Sequence, residues 1–331
     1  MLKRLFTFCL LISGFSIFGQ SELVNKNASK KAKELFNYIS NLEGKILSGQ
    51  HCYNHEPNKY YDIAKELGGD FPAIWGTDFY WSGENDPGEM VVKSAIEKYK
   101  EGSIITLMWH VGRPIDDAPF GWKSSVQNEL SDADWNDLIT PGTEIYNRWL
   151  AQIDHVALSL KKLQDAGIPV LWRPYHEMNG VWFWWGNRKG ENGYSKLWKN
   201  MYNRFVNYHN LNNLIWVWNA NAPRDIPKDE AFDYIDFYPG NEYVDVLATD
   251  VYHFDYEQKD YNQLLELANG KPIALGEVGQ LPKTSILEAQ PKWSWFMVWS
   301  GWLQTANNPE GVKEVYDYEP TITRKEVNLK I

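Results

Sequence analysis

Cysteine is nearly absent from this chain of 331 residues: Cys9 and Cys52 are the only two. Loss of an N-terminal leader would remove Cys9 and leave no pair for an internal disulfide. Long apolar runs are scarce too. The one candidate is 5–18, preceded by the basic pair Lys3 and Arg4 and followed by the small and polar Gly19, Gln20 and Ser21. It is short for a membrane span of about 20 residues. Basic, then apolar, then small is the order of an export signal. We therefore expect 1–20 to be a signal peptide and 21–331 a folded, exported domain (secreted, periplasmic or cell-surface), free of the membrane after processing. The competing reading of 5–18 is an N-terminal anchor. Clusters of positive charge are missing as well. The net charge is −10, and losing Lys3 and Arg4 takes it two lower, to −12. Phosphate backbones bind clustered cations, so a nucleic-acid partner is not expected and a neutral ligand fits better. There is no internal repeat, low-complexity tract or Pro/Ser-rich linker.

Aromatic residues are what the chain has in excess, with 17 Trp and 19 Tyr. Many must pack a core. Several Trp, however, cluster beside polar residues, and the flat C–H faces of sugar rings stack on aromatic rings. Short apolar runs alternate with amphipathic segments. Eight runs read as strands: 45–49, 73–78, 104–110, 170–174, 214–219, 246–252, 273–277 and 296–300. Their Ile, Val, Leu and Trp content is that of strands buried on both faces. Helical stretches read at 30–42, 59–67, 89–101, 143–166, 194–209 and 256–268, several closed by a glycine such as Gly68, Gly102, Gly167 or Gly270. Eight such units predict an α/β fold, a single-domain (β/α)8 TIM barrel. A doubly wound open sheet competes, but no Gly-x-Gly-x-x-Gly follows the first strand.

Chemistry-bearing residues fall at or just beyond the strand ends: Asp78, His110, Glu177, Asn219, Asp250, Tyr252, Glu277 and Trp299. In a TIM barrel those ends surround one mouth, where the active site lies. In the segment from Trp172 to Gly180, alternation continued past Pro174 would turn Arg173 and Glu177 to one inward face. An Arg173–Glu177 ion pair is the plain structural alternative. The run from Trp182 to Gly186 reads as the wall of a sugar site. In the segment from Lys271 to Gly279, a buried strand runs into Glu277, flanked by Gly276 and Gly279, which would let a ligand or backbone approach closely. Strands four and seven of a barrel face each other across the mouth. Their carboxyls could supply the pair, about 5–5.5 Å apart, that glycoside cleavage through a covalent intermediate requires.

The chain resembles glycoside hydrolase family 26, a family of retaining β/α-barrel enzymes. The matching elements are Trp109-His110, Arg173 to Glu177, Trp182 to Gly186, Asp250 to Tyr252, Ala274 to Glu277 and Trp299. The resemblance implies that Glu177 is the acid/base and Glu277 the nucleophile. It implies that His110 contacts the sugar beside the scissile bond and that His176 stands before the acid/base where related families carry Asn. It further implies that Trp182 stacks on the aglycone side, Tyr252 orients Glu277, Asp250 is a hydrogen-bonding neighbour, and Trp299 floors the glycone site. Some members carry Arg after that Trp to grip a distal sugar; this chain has Ser300. No cofactor is implied. His110, His176 and Glu177 lack the spacing of a helical zinc site, so no metal is expected. The expectation is a monomeric retaining endo-β-1,4-mannanase acting on a β-linked polysaccharide or oligosaccharide. Alternatives within the family are action on mixed-linkage β-glucan or β-1,3-xylan, or release of mannobiose from chain ends. A non-catalytic carbohydrate-binding protein is the rival from another class. The segments 116–140 and 222–243 are candidates for closing the cleft.

Overall fold

The computed structural model describes residues 22–80 and 86–329, so the expected signal peptide lies outside the described residues. Ten strands follow in order: β1 (Ile46–Leu47), β2 (Gly49–His51), β3 (Ile74–Asp78), β4 (Ile104–Trp109), β5 (Val170–Pro174), β6 (Leu214–Asn221), β7 (Val246–Val251), β8 (Ile273–Val278), β9 (Trp293–Val298) and β10 (Thr321–Ile322). Strands β2 to β9 pair in chain order, all parallel, and Gln50 of β2 pairs with Val298 of β9 to close the ring. This is the expected eight-stranded barrel. The first expected strand is divided at Ser48: β1 leans out to pair with β10, while β2 enters the ring.

Helices wrap the ring: α1 (Lys30–Ser40), α2 (Lys59–Gly68), α3 (Gly88–Lys100), α4 (Asp132–Leu138), α5 (Glu144–Asp165), α6 (Tyr194–Asn203), α7 (Gln258–Ala268), α8 (Thr284–Ala289), α9 (Trp302–Thr305) and α10 (Pro309–Asp317). Ser29 and Thr143 cap α1 and α5 by accepting from Ala32 N–H and Tyr146 N–H, satisfying donors that the helix leaves free. The expected helix stop at Gly68 is displaced by one residue. Gly68 is still helical, and its lack of a side chain makes room for the Tyr316 ring, from which a Cβ would lie 2.3 Å; Gly69, with φ +93°, makes the left-handed turn. The segment 116–140 is no bare loop, since it holds α4.

Two apolar layers result. The larger fills the space between ring and helices. The smaller lies inside the ring, where Leu47, Ile104, Leu171, Val217, Ala248 and Trp295 meet, with α1 sealing the floor through Leu35, Phe36 and Ile39. Inward positions therefore run from apolar at the floor to polar at the mouth: Leu171 leads to Arg173, Val217 to Asn219 and Asn221, Ala248 to Asp250. In β8 the sequence Ala274, Gly276 continues inward, and strict alternation would turn Glu277 out. A register shift corrects this: Thr249 pairs with Leu275, but Asp250 pairs with Glu277, so Gly276 is an extra residue. Such a bulge re-aims the side chain that follows it. Gly276 admits neighbouring side chains here, since a Cβ would lie 1.8 Å from Asn219 Oδ1 and 2.8 Å from Asp250 Oδ1.

Gly276→Ala is therefore expected to cost about 1–3 kcal/mol of folding stability through overpacking. An unchanged urea midpoint in the variant would refute this account of the bulge.

Candidate active site

Glu177 reaches the mouth by a turn, which corrects the expectation of an extended continuation. Strand β5 ends at Pro174, and both Tyr175 (φ +48°) and Glu177 (φ +54°) lie in the left-handed region. That strain is held from several sides. Glu177 N–H donates to Asn219 O at 2.7 Å. Trp185 Nε1 donates to His176 O at 2.8 Å, and Tyr194 Oη to Tyr175 O at 3.1 Å. The Glu177 carboxyl is 8% exposed and accepts from Trp182 Nε1 at 2.6 Å and Asn221 Nδ2 at 2.9 Å. Burial, then the charge of Glu277, pushes its pKa up to about 7.

Arg173 does not pair with Glu177. It points up the barrel axis, where Nη2 donates to Glu277 Oε1 at 3.0 Å and Nη1 donates to Asn219 Oδ1 at 2.6 Å. Tyr252 Oη donates to Glu277 Oε2 at 2.7 Å. Both oxygens of Glu277 thus already accept hydrogen bonds from donors, the role of an acceptor-only carboxylate. Burial and the neighbouring Glu277 hold the Tyr252 phenol well above its ordinary range, so it stays a donor.

His176 lies between the two acids. Its Nε2 is 3.5 Å from Glu277 Oε1, and one of its ring nitrogens lies within 4.8 Å of oxygens on Glu177 and Asp250. Burial, with His110 and the Arg173 guanidinium nearby, lowers its pKa well below the usual range, leaving a neutral imidazole. Asp250 is fully buried, 3.8 Å from Arg173 Nη1; burial, Glu277 and Glu177 raise its pKa well above the usual range. Of the described residues, His176, Glu177 and Asp250 form the cluster whose donor spacing could suit a metal ion. The Arg173 charge beside Asp250 opposes a second cation there.

His110 meets His176 edge-on, with ring centroids 4.5 Å apart, and its Nδ1 lies 2.6 Å from Asp78 Oδ2. Trp299 is partly exposed and stacks on His51 at 3.9 Å and 15°. His51 Nδ1 lies 2.7 Å from Ser300 Oγ. Ser300, fully buried, therefore holds the imidazole under Trp299. A cavity of about 330 Å³ opens between Trp299, His110, Tyr53, Tyr80 and Trp122.

All eight expected site residues thus meet in one contact network. The aromatic wall is the exception: Trp184 and Trp185 are core residues, 1% and 0% exposed, and from that run the partly exposed Trp182 faces the cleft. Sequence reasoning missed Asn221, because the strand was expected to end at residue 219; the inward parity of 217 and 219 extends to it. It also missed Asp78 as partner of His110, and His51. No local pattern in the sequence marks either contact.

A parallel barrel with two acids and an aromatic cleft at its C-terminal mouth defines a glycosidase-type site. The sequence profile of glycosyl hydrolase family 26 matches residues 24–326, and the chain belongs to that family. It is 35% identical over 321 residues to the mannan endo-1,4-beta-mannosidase of Thermothelomyces thermophilus, covering 92% of this chain and 63% of that one. It is 33% identical over 296 residues to mannan endo-1,4-beta-mannosidase A of a Piromyces species, covering 84% and 45%. The chain therefore spans less than two thirds of the length of these curated relatives. Among solved structures, GH26A from a Muricauda species superposes with a TM-score of 0.90 at 66% identity, covering 92% of this chain and 99% of that one. The beta-mannanase of a symbiotic protist of the termite Reticulitermes speratus, solved with a gluco-manno-oligosaccharide, gives 0.80 at 31%, covering 93% and 98%.

A raised folded pKa at Glu177 has a consequence for stability. The folded state holds the proton more tightly, so this residue's contribution is full below its unfolded pKa, near 4.5, and is lost as pH rises towards 7. Denaturant titrations are expected to show stability falling by about 1–3 kcal/mol across that window, with a shallower fall in Glu177→Gln. Identical pH slopes in the two proteins would contradict the assignment.

Proposed function

We propose that this chain is a retaining endo-β-1,4-mannanase, exported and monomeric, acting by double displacement. The observation that carries the reading is the contrast between two acids that adjoin one imidazole. Glu177 is buried, with a pKa pushed up to about 7; Glu277 accepts hydrogen bonds at both oxygens. A group protonated near neutral pH can give its proton to the leaving oxygen, while an acceptor-only carboxylate can attack the anomeric carbon. In this mechanism Glu277 forms the glycosyl–enzyme bond as Glu177 protonates the departing sugar. Glu177 then takes a proton from water, which attacks the same carbon and releases Glu277.

Tyr252 orients the nucleophile, and neutral His176 keeps the acids apart without adding charge. Asp250 lies below them as a hydrogen-bonding neighbour. His110, fixed by Asp78, contacts the sugar beside the cut. Trp299 forms the floor on the glycone side, and Trp182 the stacking surface on the aglycone side. The curated relatives described above are named as mannan endo-1,4-beta-mannosidases, which supports mannan over β-glucan or β-1,3-xylan. Export rests on the basic, apolar and small segments at the start of the sequence.

Glu177→Ala and Glu277→Ala are each expected to lose about 10³-fold or more in turnover while remaining folded. Azide should give a glycosyl azide of inverted configuration with Glu277→Ala and of retained configuration with Glu177→Ala. Undiminished activity in either variant would sink the roles assigned here. Product sizes from galactomannan, glucomannan, linear mannan, β-1,3-xylan and barley β-glucan test the substrate. Mixed oligosaccharides from mannan are expected; mannobiose alone, or turnover confined to another glycan, would overturn the endo-mannanase reading.

A further inference from the structure

Glu177 receives two side-chain hydrogen bonds, and one residue touches both donors. Arg224 lies in the segment after β6, its side chain 9% exposed. Its Nη1 donates to Asn221 Oδ1 at 2.5 Å, and the amide nitrogen of that same Asn221 donates to Glu177 Oε1 at 2.9 Å. Its guanidinium carbon stands 4.9 Å from the ring of Trp182, whose Nε1 donates to Glu177 Oε2 at 2.6 Å. The guanidinium is anchored from behind. Its Nε donates to Asp229 O at 3.0 Å and its Nη2 to Asp229 Oδ1 at 2.8 Å, while the backbones of Arg224 and Ala231 exchange two hydrogen bonds at 2.9 Å. Asn179 ties the same corner down: its side-chain oxygen accepts from Asn221 N–H at 2.7 Å, and its amide donates to Asn221 O and Phe232 O.

We infer that Arg224 is a positioning residue for the acid/base: one guanidinium sets Asn221 and Trp182 so that both donors converge on Glu177. The inference rests on the acid/base role proposed above for Glu177. The hydrogen bond from Arg224 fixes which end of the Asn221 amide faces Glu177. Its Nη1 needs the oxygen, so the NH₂ must point to the carboxyl. Packing against the indole face restrains the Trp182 ring. The same cation also acts through space. The charged and titratable groups around Glu177 include Glu277 from β8, Asp250 from β7, Tyr252 just after β7, His176 just after β5, and Arg224 after β6. Burial and then the acidic neighbour Glu277 raise the Glu177 pKa, and Arg224 is among the groups that lower it. Asp229 and His253, 3.6 Å apart, stand behind Arg224 on the side away from Asn221. Without the cation, Glu177 would keep its proton to higher pH and lose its fixed orientation.

Three proteins test this: wild type, Arg224→Met and Arg224→Lys. The first readout is the ¹³C shift of the Glu177 carboxyl against pH, assigned by comparison with Glu177→Gln, and it needs no turnover. The titration midpoint should rise by about half a unit in Arg224→Met and stay at the wild-type value in Arg224→Lys, which keeps the charge. The second readout is kcat/KM on manno-oligosaccharides and on a 2,4-dinitrophenyl mannobioside, whose leaving group departs without a proton. Arg224→Met should lose about 10- to 100-fold on the oligosaccharide, with its alkaline limb moved up, and less than about threefold on the aryl glycoside. Arg224→Lys should lose on the oligosaccharide alone, its limb unmoved. If Arg224→Met fails to fold, the substrate contrast in Arg224→Lys carries the test. An unmoved midpoint in folded Arg224→Met, or equal losses on both substrates, would overturn the inference. Absence of wild-type turnover on either substrate would instead defeat the proposed function and leave the ¹³C titration to decide the role of Arg224.

Discussion

A buried guanidinium organises the mouth of this barrel. Arg173 is 1% exposed, stands on the apolar interior of the ring, and faces Glu277, Asn219 and Asp250. An isolated charge at that depth would be very costly, as would the carboxylates above it. Each is tolerable because the others are present. Removing one partner of such a buried pair typically costs about 3–5 kcal/mol, since it leaves an uncompensated charge. The bulge at Gly276 and the inward parity of Asn219 both serve to bring groups onto this one cation.

Two side chains of the same chemical type end in opposite circumstances a short distance apart. Glu277 is met by a cation and a phenol. Glu177 is met by an indole N–H and an amide, deeper than its charge would favour. The difference comes from neighbours on other strands, so it belongs to the tertiary structure. Its consequence is stored instability: a folded state that prefers Glu177 protonated gives up some stability above neutrality to keep an acid available there.

The aromatic richness divides into two populations. Trp184 and Trp185 sit in the core, and the Trp185 indole stacks on Phe183 at 4.5 Å. Trp185 also secures the backbone beneath His176. These rings serve the site by holding its frame. Trp182 and Trp299 keep exposed surface at the mouth, and each is held by a polar residue at its back: Trp182 against Arg224, Trp299 against His51. A run of aromatic letters does not separate these roles, because exposure depends on what packs from elsewhere in the chain.

The amino-acid sequence alone determined the barrel, since buried strands and amphipathic helices are written in local periodicity and β/α alternation admits few topologies. It also determined that Glu177 and Glu277 belong to one mouth, because both lie at or just past strand ends, where parallel strands of a closed ring converge. Beyond this, local pattern carries no information about distance across the ring. That Arg173 pairs with Glu277, that β6 runs on to deliver Asn221, that Asp78 fixes His110 and that Ser300 holds His51 were decided only by tertiary structure. Each of these contacts joins residues 32 to 249 positions apart. Their geometry depends on ring closure and a one-residue bulge, and neither leaves a periodic trace in the chain.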